Sequence, residues 1–208
     1  MATFATEEKD FNKLIVKLRE TTGAGIMDCK KALTEAKGSY DEAMTILRKK
    51  GQADAAKKSA RVTKEGVVAF TATASSGAMI ELNSETDFVA RTSEFQQLAQ
   101  TLAEKFARGE FNSSEEARPL IEPVFAKLGE NMGLRRFTRF ELSAPGLIAG
   151  YIHLGAKKGA LIELSAHSEQ AAKSVEFSEL AKELLLQIVG LSPKYLKREE
   201  VPASEIAK

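Results

Sequence analysis

An internal repeat constrains the fold of this chain more than any other feature of its sequence. Three blocks recur in the same order: Gly-Val-Val-Ala at 66–69 as Gly-Leu-Ile-Ala at 146–149, Gly-Ala-Met-Ile-Glu-Leu at 77–82 as Gly-Ala-Leu-Ile-Glu-Leu at 159–164, and Glu-Phe-Gln-Gln-Leu-Ala at 94–99 as Glu-Phe-Ser-Glu-Leu-Ala at 176–181. The offset is 80 residues for the first block and 82 for the other two. The second copy is therefore predicted to carry two extra residues in a hairpin around Lys157 and Lys158. The residue pattern of each copy predicts a strand, a turn, a second strand, a connection and a helix, in that order.

The two copies differ in the connection between the second strand and the helix. The first copy has Thr-Asp-Phe-Val at 86–89, where the second has Ser-Glu-Gln-Ala at 168–171. Apolar side chains in a surface loop gain nothing from water, so Phe88 either tucks beneath its own loop or serves a function. Because the second copy has the polar Gln170 at the equivalent position, the repeat does not need an aromatic residue there in order to fold. This comparison favours a functional role for residues 86–89.

The composition is that of a folded globular protein. The 208 residues are 43% hydrophobic and 28% charged, with a formal net charge of +1, which argues against a protein that binds nucleic acid mainly by neutralising phosphates. The single cysteine, Cys29, excludes an intramolecular disulfide and a cysteine-based zinc cluster. The first residues lack the pattern of a secretion signal, and no apolar run approaches membrane-spanning length. We therefore expect a soluble, cytoplasmic protein from a reducing compartment.

Three short helices are predicted in the first fifty residues. Helical spacing of apolar residues indicates the first over about 7–20 and the second from Gly25, and a capping box at 39–42 opens the third, which is expected to stop near Gly51. The positions expected to face inward are Phe11, Leu14, Ile15 and Leu18 in the first helix, Ile26, Cys29, Ala32, Leu33 and Ala36 in the second, and Ala43, Met44 and Leu47 in the third.

The predicted fold class is α+β. Residues 1–51 are expected to form a three-helix N-terminal domain, and residues 52–65, rich in alanine and lysine, a partly helical linker with its basic side chains in water. The first repeat is expected to form one core subdomain over 66–142, and the second repeat another over 143–208. Both are expected to combine antiparallel strands with helices.

Within the repeats, the patterns predict the following elements. Strands are expected at 66–73, 78–83, 134–142, 147–154 and 159–165, and helices at 94–108 and 176–189, with Ser93 as the N-terminal cap of the former. A further helix is expected from Ser113, broken in two by Pro119 and Pro123. Arg135, Arg136 and Arg139 are expected on a solvated face of their strand rather than at a phosphate site.

Three segments resemble signatures of the elongation factor Ts family. Residues 18–33 (Leu-Arg-Glu-Thr-Thr-Gly-Ala-Gly-Ile-Met-Asp-Cys-Lys-Lys-Ala-Leu) are similar to its N-terminal signature, and residues 81–91 to its second. Gly-Glu-Asn at 129–131, followed by Arg135 and Arg136, matches a third block. The resemblance implies a three-helix domain of ubiquitin-associated type before the two core subdomains. Long members of the family continue past the position of Lys208 with a segment that includes a coiled coil, so the resemblance leaves open the contacts that they make through it.

The resemblance also implies a function, namely guanine-nucleotide exchange on the GTPase elongation factor Tu. An exchange factor needs no cofactor and is not an enzyme in the bond-making sense. The residues implied to contact the GTPase are Thr86, Asp87, Phe88 and Val89, beside its magnesium region, together with Lys30 on the second helix and His153.

No catalytic or metal-binding pattern is found in the sequence. It contains no Gly-x-x-x-x-Gly-Lys-Ser/Thr loop, no Gly-x-Gly-x-x-Gly and no His-Glu-x-x-His. With only His153 and His167, a nucleophile system would depend on a single histidine. His153 is expected in a strand opposite Thr73 of the first copy, where it is either structural or the partner contact that the resemblance implies.

Two other kinds of function stay open. One is a ribosome- or RNA-associated protein that uses the three-helix module and the basic linker, although no aromatic residue interleaves with the linker's basic residues to stack a base. Those basic residues are Lys57, Lys58, Arg61 and Lys64. The other is a plain scaffold that carries the signature without using it.

Overall fold

Helices and antiparallel sheets are combined in this protein, which confirms the predicted α+β class. The computed structural model describes residues 2–58 and 60–206, with the side chains of all of these except 2–9, 52, 55 and 56. The helices are α1 (Ala2–Thr22), α2 (Ile26–Glu35), α3 (Tyr40–Lys58), α4 (Asp87–Ala90), α5 (Ser93–Ala107), α6 (Ser114–Leu128), α7 (Glu169–Ala172), α8 (Val175–Leu191) and α9 (Ala203–Ile206). The strands are β1 (Glu65–Ala72), β2 (Ser76–Ser84), β3 (Met132–Glu141), β4 (Gly146–Ile152) and β5 (Gly159–Ser165). None of the helices in this described part combines the length and apolar character needed to span a bilayer.

The chain forms two compact units. The first comprises Met1–Val67, Glu81–Leu102 and Phe111–Arg136, and the second comprises Val68–Ile80, Ala103–Glu110 and Phe137–Lys208. The first unit contains the three N-terminal helices, α4 and α6, whereas the second contains the whole second repeat. The domain boundaries predicted from the sequence stay a prediction.

In the first unit, α1, α2 and α3 enclose a small apolar core. Its buried members are Ile15, Leu18, Cys29, Ala32, Leu33, Ala36, Ala43 and Leu47, as predicted, with Phe11, Leu14 and Met44 packed against them. Cys29 is fully buried, and this desolvation raises the pKa of its thiol. The prediction was wrong for Ile26, whose side chain is 51% exposed. Ile26 shares the inward stripe of α2 but is the first residue of that helix, one turn outside the packed layer.

The third helix is longer than predicted. It continues through Gly51 to Lys58, because one glycine costs a helix only about 1 kcal/mol and the alanines and lysines that follow are strong helix formers. The end of α3 is held by Lys58, whose Nζ donates to the Gly129 carbonyl (2.7 Å) and lies 5.6 Å from the centre of the Phe125 ring. The expectation that the basic side chains of this segment all lie in water was therefore wrong for Lys58.

Strands β1, β2 and β3 form a three-stranded sheet in that order. Near its start, Gly66 has a φ of +148°, and a Cβ there would lie 2.2 Å from the Leu82 carbonyl oxygen. Only glycine allows this approach. The second copy reproduces the contact, since a Cβ on Gly146 would lie 2.3 Å from the Leu164 carbonyl oxygen. The repeat seen in the sequence is thus also a repeat of backbone packing.

Helix α6 is continuous, contrary to the prediction of a broken helix. Pro119 and Pro123 both lie inside it, and each removes one backbone hydrogen bond and costs about 3 kcal/mol. The helix nevertheless buries Ala117, Ile121 and Phe125, spaced by four residues on one face. Packing of this face offsets the loss of the two hydrogen bonds.

Helix α5 begins at Ser93, one residue earlier than the predicted cap implies. The residue that caps it is Thr92, whose hydroxyl accepts a hydrogen bond from Phe95 N (3.3 Å). Ser93 was therefore wrongly predicted as the cap, because a threonine directly before it takes that role.

The arginines of β3 have partners in the protein. Arg135 and Arg136 pair with Glu81 (3.5 and 2.6 Å), and Arg139 pairs with Glu141 (2.8 Å). Arg135 and Arg136 nevertheless remain mostly exposed, as expected for a solvated face. The expectation was wrong for Arg139, whose side chain is 28% exposed and donates from Nε to the Ala107 carbonyl (3.2 Å).

The second repeat forms an antiparallel pair of strands covered by a helix. Strands β4 and β5 pair from Gly146 opposite Ser165 to Ile152 opposite Gly159. Helix α8 packs on them, burying Leu185 and Val189 against Ala160. The connection between these strands, 153–158, is longer than that between β1 and β2, 73–75, which places the extra residues of the second copy in the predicted hairpin.

Candidate functional site

The segment 86–89 forms one turn of helix between β2 and α5. Thr86 is extended (φ −120°, ψ 157°) and caps helix α4, and its hydroxyl accepts a hydrogen bond from Val89 N (3.4 Å). At the other end of the turn, the Thr92 hydroxyl donates to the Val89 carbonyl (2.8 Å). The sequence predicted only a connection between a strand and a helix at this place. Two threonine hydroxyls stabilise the helical turn, because each bonds to a backbone group of Val89 that so short a helix leaves unpaired.

This turn separates exposed from buried apolar side chains. Phe88 is 78% exposed, whereas Val89 and Ala90 are 8% and 2% exposed. The alternative that Phe88 tucks beneath its own loop is therefore excluded. Asp87 forms an ion pair with Arg91 (2.8 Å), which is itself largely exposed. We call Thr86–Val89 the tip.

The second copy has the same backbone without the aromatic residue. Ser168 is extended (φ −156°, ψ 157°), and its hydroxyl accepts from Ala171 N (3.2 Å) to cap α7, which like α4 is four residues long. Ser174 then caps α8 as Thr92 caps α5. Gln170, at the position of Phe88, is also exposed. Both copies thus present the third residue of the tetrapeptide to solvent, and only the first copy presents an aromatic ring.

A segment distant in the sequence holds the base of the tip. The carboxylate of Glu130 accepts hydrogen bonds from Thr86 N (3.1 Å) and from the Thr86 hydroxyl (2.9 and 3.0 Å to its two oxygens). In the opposite direction, the carboxylate of Glu85 accepts from Asn131 N (2.6 Å). Residues 85–86 and 130–131 therefore exchange carboxylate-to-backbone hydrogen bonds in both directions. We call this pair of contacts the brace.

Sequence reasoning did not assign Glu130 to the site. It appears only in the third matching block, and its contact with Thr86 spans 44 residues. No local signal in the sequence marks it, because Glu130 lies two residues before β3 and comes beside the end of β2 only once the two strands pair.

Lys30 lies on the exposed face of α2. Its side chain is exposed, and on the first turn of the same helix Ile26 and Met27 are 51% and 61% exposed. Asp28, which follows Met27, forms an ion pair with Lys50 of α3. An exposed isoleucine, methionine and lysine therefore share one end of α2, in the same unit as the tip. We call these three residues the α2 surface.

His153 lies just beyond β4 rather than within it, because β4 ends at Ile152. It opens the hairpin connection, where its backbone N donates to the Lys158 carbonyl (2.9 Å). Its ring is exposed, with Nδ1 3.2 Å from the Tyr151 hydroxyl. The next residue, Leu154, is 94% exposed. His153 thus belongs to the second unit, and nothing buries it as a core residue.

Within the described residues, no group of three or more His, Cys, Asp or Glu side chains could hold a metal ion. Two basic residues that an RNA-binding function would need are engaged in the protein. Lys58 binds the Gly129 carbonyl, and Arg61 pairs with Glu85 (3.4 Å) while its carbonyl accepts from Asn131 Nδ2 (2.8 Å). These contacts weaken the RNA-binding alternative.

A family model and curated relatives that are similar to this chain carry the same description. A family model described as Elongation factor TS matches residues 85–208. The elongation factor Ts of Clostridium botulinum (strain Eklund 17B / Type B) is 42% identical over 209 residues, covering 94% of this chain and 67% of the relative. That of a Nitratiruptor species is 39% identical over 206 residues, covering 93% and 67%. That of Clostridium perfringens (strain SM101 / Type A) is 39% identical over 209 residues, covering 94% and 67%.

Proposed function

Because the chain belongs to the elongation factor Ts family, whose members are nucleotide exchange factors and not catalysts of a chemical reaction, we propose that it binds elongation factor Tu with GDP and accelerates GDP release. The tip displaces Mg²⁺ from the GTPase and opens its nucleotide site. The observation that carries this proposal is the 78% exposure of Phe88 on a turn that is otherwise anchored. A factor with this role acts in the cytoplasm, where translation takes place.

Exchange of this kind requires only differential binding. The factor must bind the GTPase more tightly when nucleotide and metal are loosely held, and by reciprocity nucleotide then weakens the factor's own binding. The metal bridges phosphate oxygens of the nucleotide and anchors it. Displacing the metal is therefore an efficient way to release GDP, and it needs no general acid, general base or nucleophile from the factor.

Phe88 supplies the free energy for this step. Burying a phenylalanine side chain contributes about 1.5–3 kcal/mol, and most of Phe88 is available for burial because it is 78% exposed in the free protein. If this gain is realised only in the open state of the GTPase, it corresponds to an acceleration of about ten- to a hundredfold.

Asp87 supplies a carboxylate beside the ring. In the free protein it pairs with Arg91, and an exposed ion pair of this kind contributes only about 0–1 kcal/mol. Breaking the pair therefore costs little, and the released carboxylate competes for polar groups near the metal or repels the phosphates.

The α2 surface and His153 contribute affinity and orientation. Exposed Ile26 and Met27 beside Lys30 form a small apolar surface with one positive charge, a composition that suits docking on a protein surface with an acidic rim. His153 and the exposed Leu154 offer a comparable contact from the second unit.

The test is stopped-flow release of fluorescently labelled GDP from elongation factor Tu, with and without this protein. Release should accelerate and saturate as the protein concentration rises, and excess Mg²⁺ should raise the concentration needed. Release at the spontaneous rate across the concentration range would refute the proposal. Retention on RNA that falls steeply with salt would then favour the RNA-binding alternative.

A further inference from the structure

We propose that Glu130 is a positioning residue for nucleotide exchange, holding the tip so that Phe88 enters the partner in one fixed orientation. This inference rests on the proposed function, and it adds a residue that touches neither nucleotide nor metal.

The first support is the geometry of the Glu130 contact. Thr86 donates from both its backbone N and its hydroxyl to the one carboxylate of Glu130, and the same hydroxyl accepts from Val89 N. The hydroxyl therefore both donates and accepts, and its orientation is fixed. Hydrogen bonds to a charged acceptor are about twice as strong as neutral ones, so the first residue of the tip is tied firmly to a residue that lies just before β3.

A second support is that the contact is reciprocal. Glu85, the residue before Thr86, accepts from Asn131 N, the residue after Glu130 (2.6 Å). At the end of β2, the hydroxyl of the fully buried Ser84 donates a hydrogen bond to the Thr86 carbonyl (2.9 Å). The two sets of hydrogen bonds between residues 85–86 and 130–131 resist rotation of helix α4 about its own axis better than one set would. Such a rotation would change the direction in which the Phe88 side chain points.

The second repeat shows that the helix itself does not need Glu130. Helix α7 forms with the same extended cap at Ser168 and the same bond to the N–H three residues on. Within the described part of the chain, no carboxylate accepts a hydrogen bond from Ser168. The bond between Glu130 and Thr86 is thus an addition found at the copy that carries the exposed aromatic residue.

The need for a brace follows from the length of α4. A four-residue helix has almost no intrinsic stability, because nucleation alone is unfavourable. A wedge on such a turn would lose part of its binding free energy to the ordering of the turn. Fixing the turn beforehand leaves that free energy for opening the GTPase.

The experiment is a double-mutant cycle on the rate of GDP release at saturating factor, using Glu130→Ala, Phe88→Ala and both together. We expect Glu130→Ala to slow release about tenfold, the factor that loss of hydrogen bonds to a charged group gives. In the Phe88→Ala background the same change should have no further effect, because there is no ring left to position. Glu122→Ala, which removes an exposed glutamate of α6, is the matched control and should leave the rate unchanged in both backgrounds.

The outcomes separate this inference from the proposed function. If Phe88→Ala slows release and Glu130→Ala does not, Glu130 has no positioning role. If Glu130→Ala slows release equally in both backgrounds, it acts independently of Phe88 and the inference is overturned. If Phe88→Ala itself has no effect, the proposed use of the tip fails, and the positioning role fails with it.

If the Glu130→Ala variant does not fold, Glu130→Gln is measured in the same cycle, because glutamine keeps the side-chain volume and one acceptor oxygen. It should show a smaller slowing that again requires Phe88.

Discussion

Phe88 and Val89 are adjacent apolar residues with opposite environments. Val89 is 8% exposed and joins the packing beneath α4, whereas Phe88 is 78% exposed. The hydroxyls of Thr86 and Thr92 fix the backbone on both sides of Val89. The buried residue therefore anchors the turn, and the exposed one is free to make contacts outside the chain.

Phe88→Ala is expected to leave the melting temperature within about 2 °C of the wild type, because an exposed ring contributes little buried area. The same change should slow GDP release from elongation factor Tu at least tenfold, by the arithmetic of burying a phenylalanine. Circular dichroism melting and stopped-flow release measure the two effects on the same sample.

Val89→Ala is the contrasting variant, and it should lower the free energy of unfolding by about 1–3 kcal/mol through loss of buried volume. A fall of about 10 °C or more for Phe88→Ala would instead mean that its ring packs in the core. The tip would then have to be reinterpreted as a structural loop.

The direction of Phe88 could be predicted because the sequence carries its own comparison at Gln170. The place of Glu130 could not, because its contact with Thr86 spans 44 residues and forms only once β3 pairs with β2. The exposure of Ile26 was missed for a related reason. Periodicity gives the face of a helix on which a residue lies, but not how far along the helix the packing partners extend.

Helices α4 and α7 are equivalent elements with different surfaces. Each begins at a hydroxyl cap, has four residues, and leads through a second hydroxyl cap into a long helix. What distinguishes them is the aromatic ring and the brace to Glu130 in the first copy. The repeat has thus kept the structure of the connection, while only the first copy presents an exposed aromatic ring there.

Replacing Thr86-Asp87-Phe88-Val89 by Ser-Glu-Gln-Ala, the tetrapeptide at 168–171, should therefore leave the fold intact. The serine keeps the cap, and only the change at Val89 removes buried volume, so a modest loss of stability is expected. At a concentration that saturates binding, the chimera should release GDP scarcely faster than the spontaneous rate, because the ring is gone and the carboxylate sits on a longer side chain.

A matched control for the chimera is the reverse graft. Thr-Asp-Phe-Val placed at 168–171 of the chimera should not restore exchange, since Ser168 has no counterpart of Glu130 among the described residues to hold the turn. Wild-type rates in the first chimera would show that exchange is driven from elsewhere on the surface. Rescue by the reverse graft would show that the tetrapeptide works without its brace.

Other elements show where local rules were outweighed by packing. The prolines of α6 and the glycine of α3 were expected to interrupt their helices, yet both helices continue. These two helices pack against each other, and the buried face of α6 together with the anchor from Lys58 to Gly129 offsets the local cost. Such compensation depends on residues far apart in the sequence, so local propensity could not predict it.

Taken as a whole, the protein places its candidate partner contacts on separate elements. The tip and the α2 surface belong to the first unit, and His153 to the second. Of these three surfaces, only the tip combines an exposed aromatic ring with a carboxylate and the hydrogen bonds of the brace. We therefore expect the elements to differ in what they contribute: the tip determines how fast GDP leaves a bound complex, and the other surfaces determine how tightly the complex forms.

Met27→Ala with Lys30→Ala tests this separation. Removing an exposed methionine and a positive charge should raise the dissociation constant for elongation factor Tu with GDP about tenfold, as expected when a buried apolar side chain and a rim charge are lost from an interface. The rate of GDP release at saturation should stay at the wild-type value, because neither side chain belongs to the tip. Calorimetry gives the dissociation constant, and stopped-flow release gives the rate. Lys49→Ala, which removes an exposed lysine of α3, is the charge-matched control.

An unchanged dissociation constant would remove the α2 surface from the interface. A slower saturated rate with normal affinity would instead mean that α2 takes part in opening the nucleotide site, and the separation between affinity and rate would be wrong.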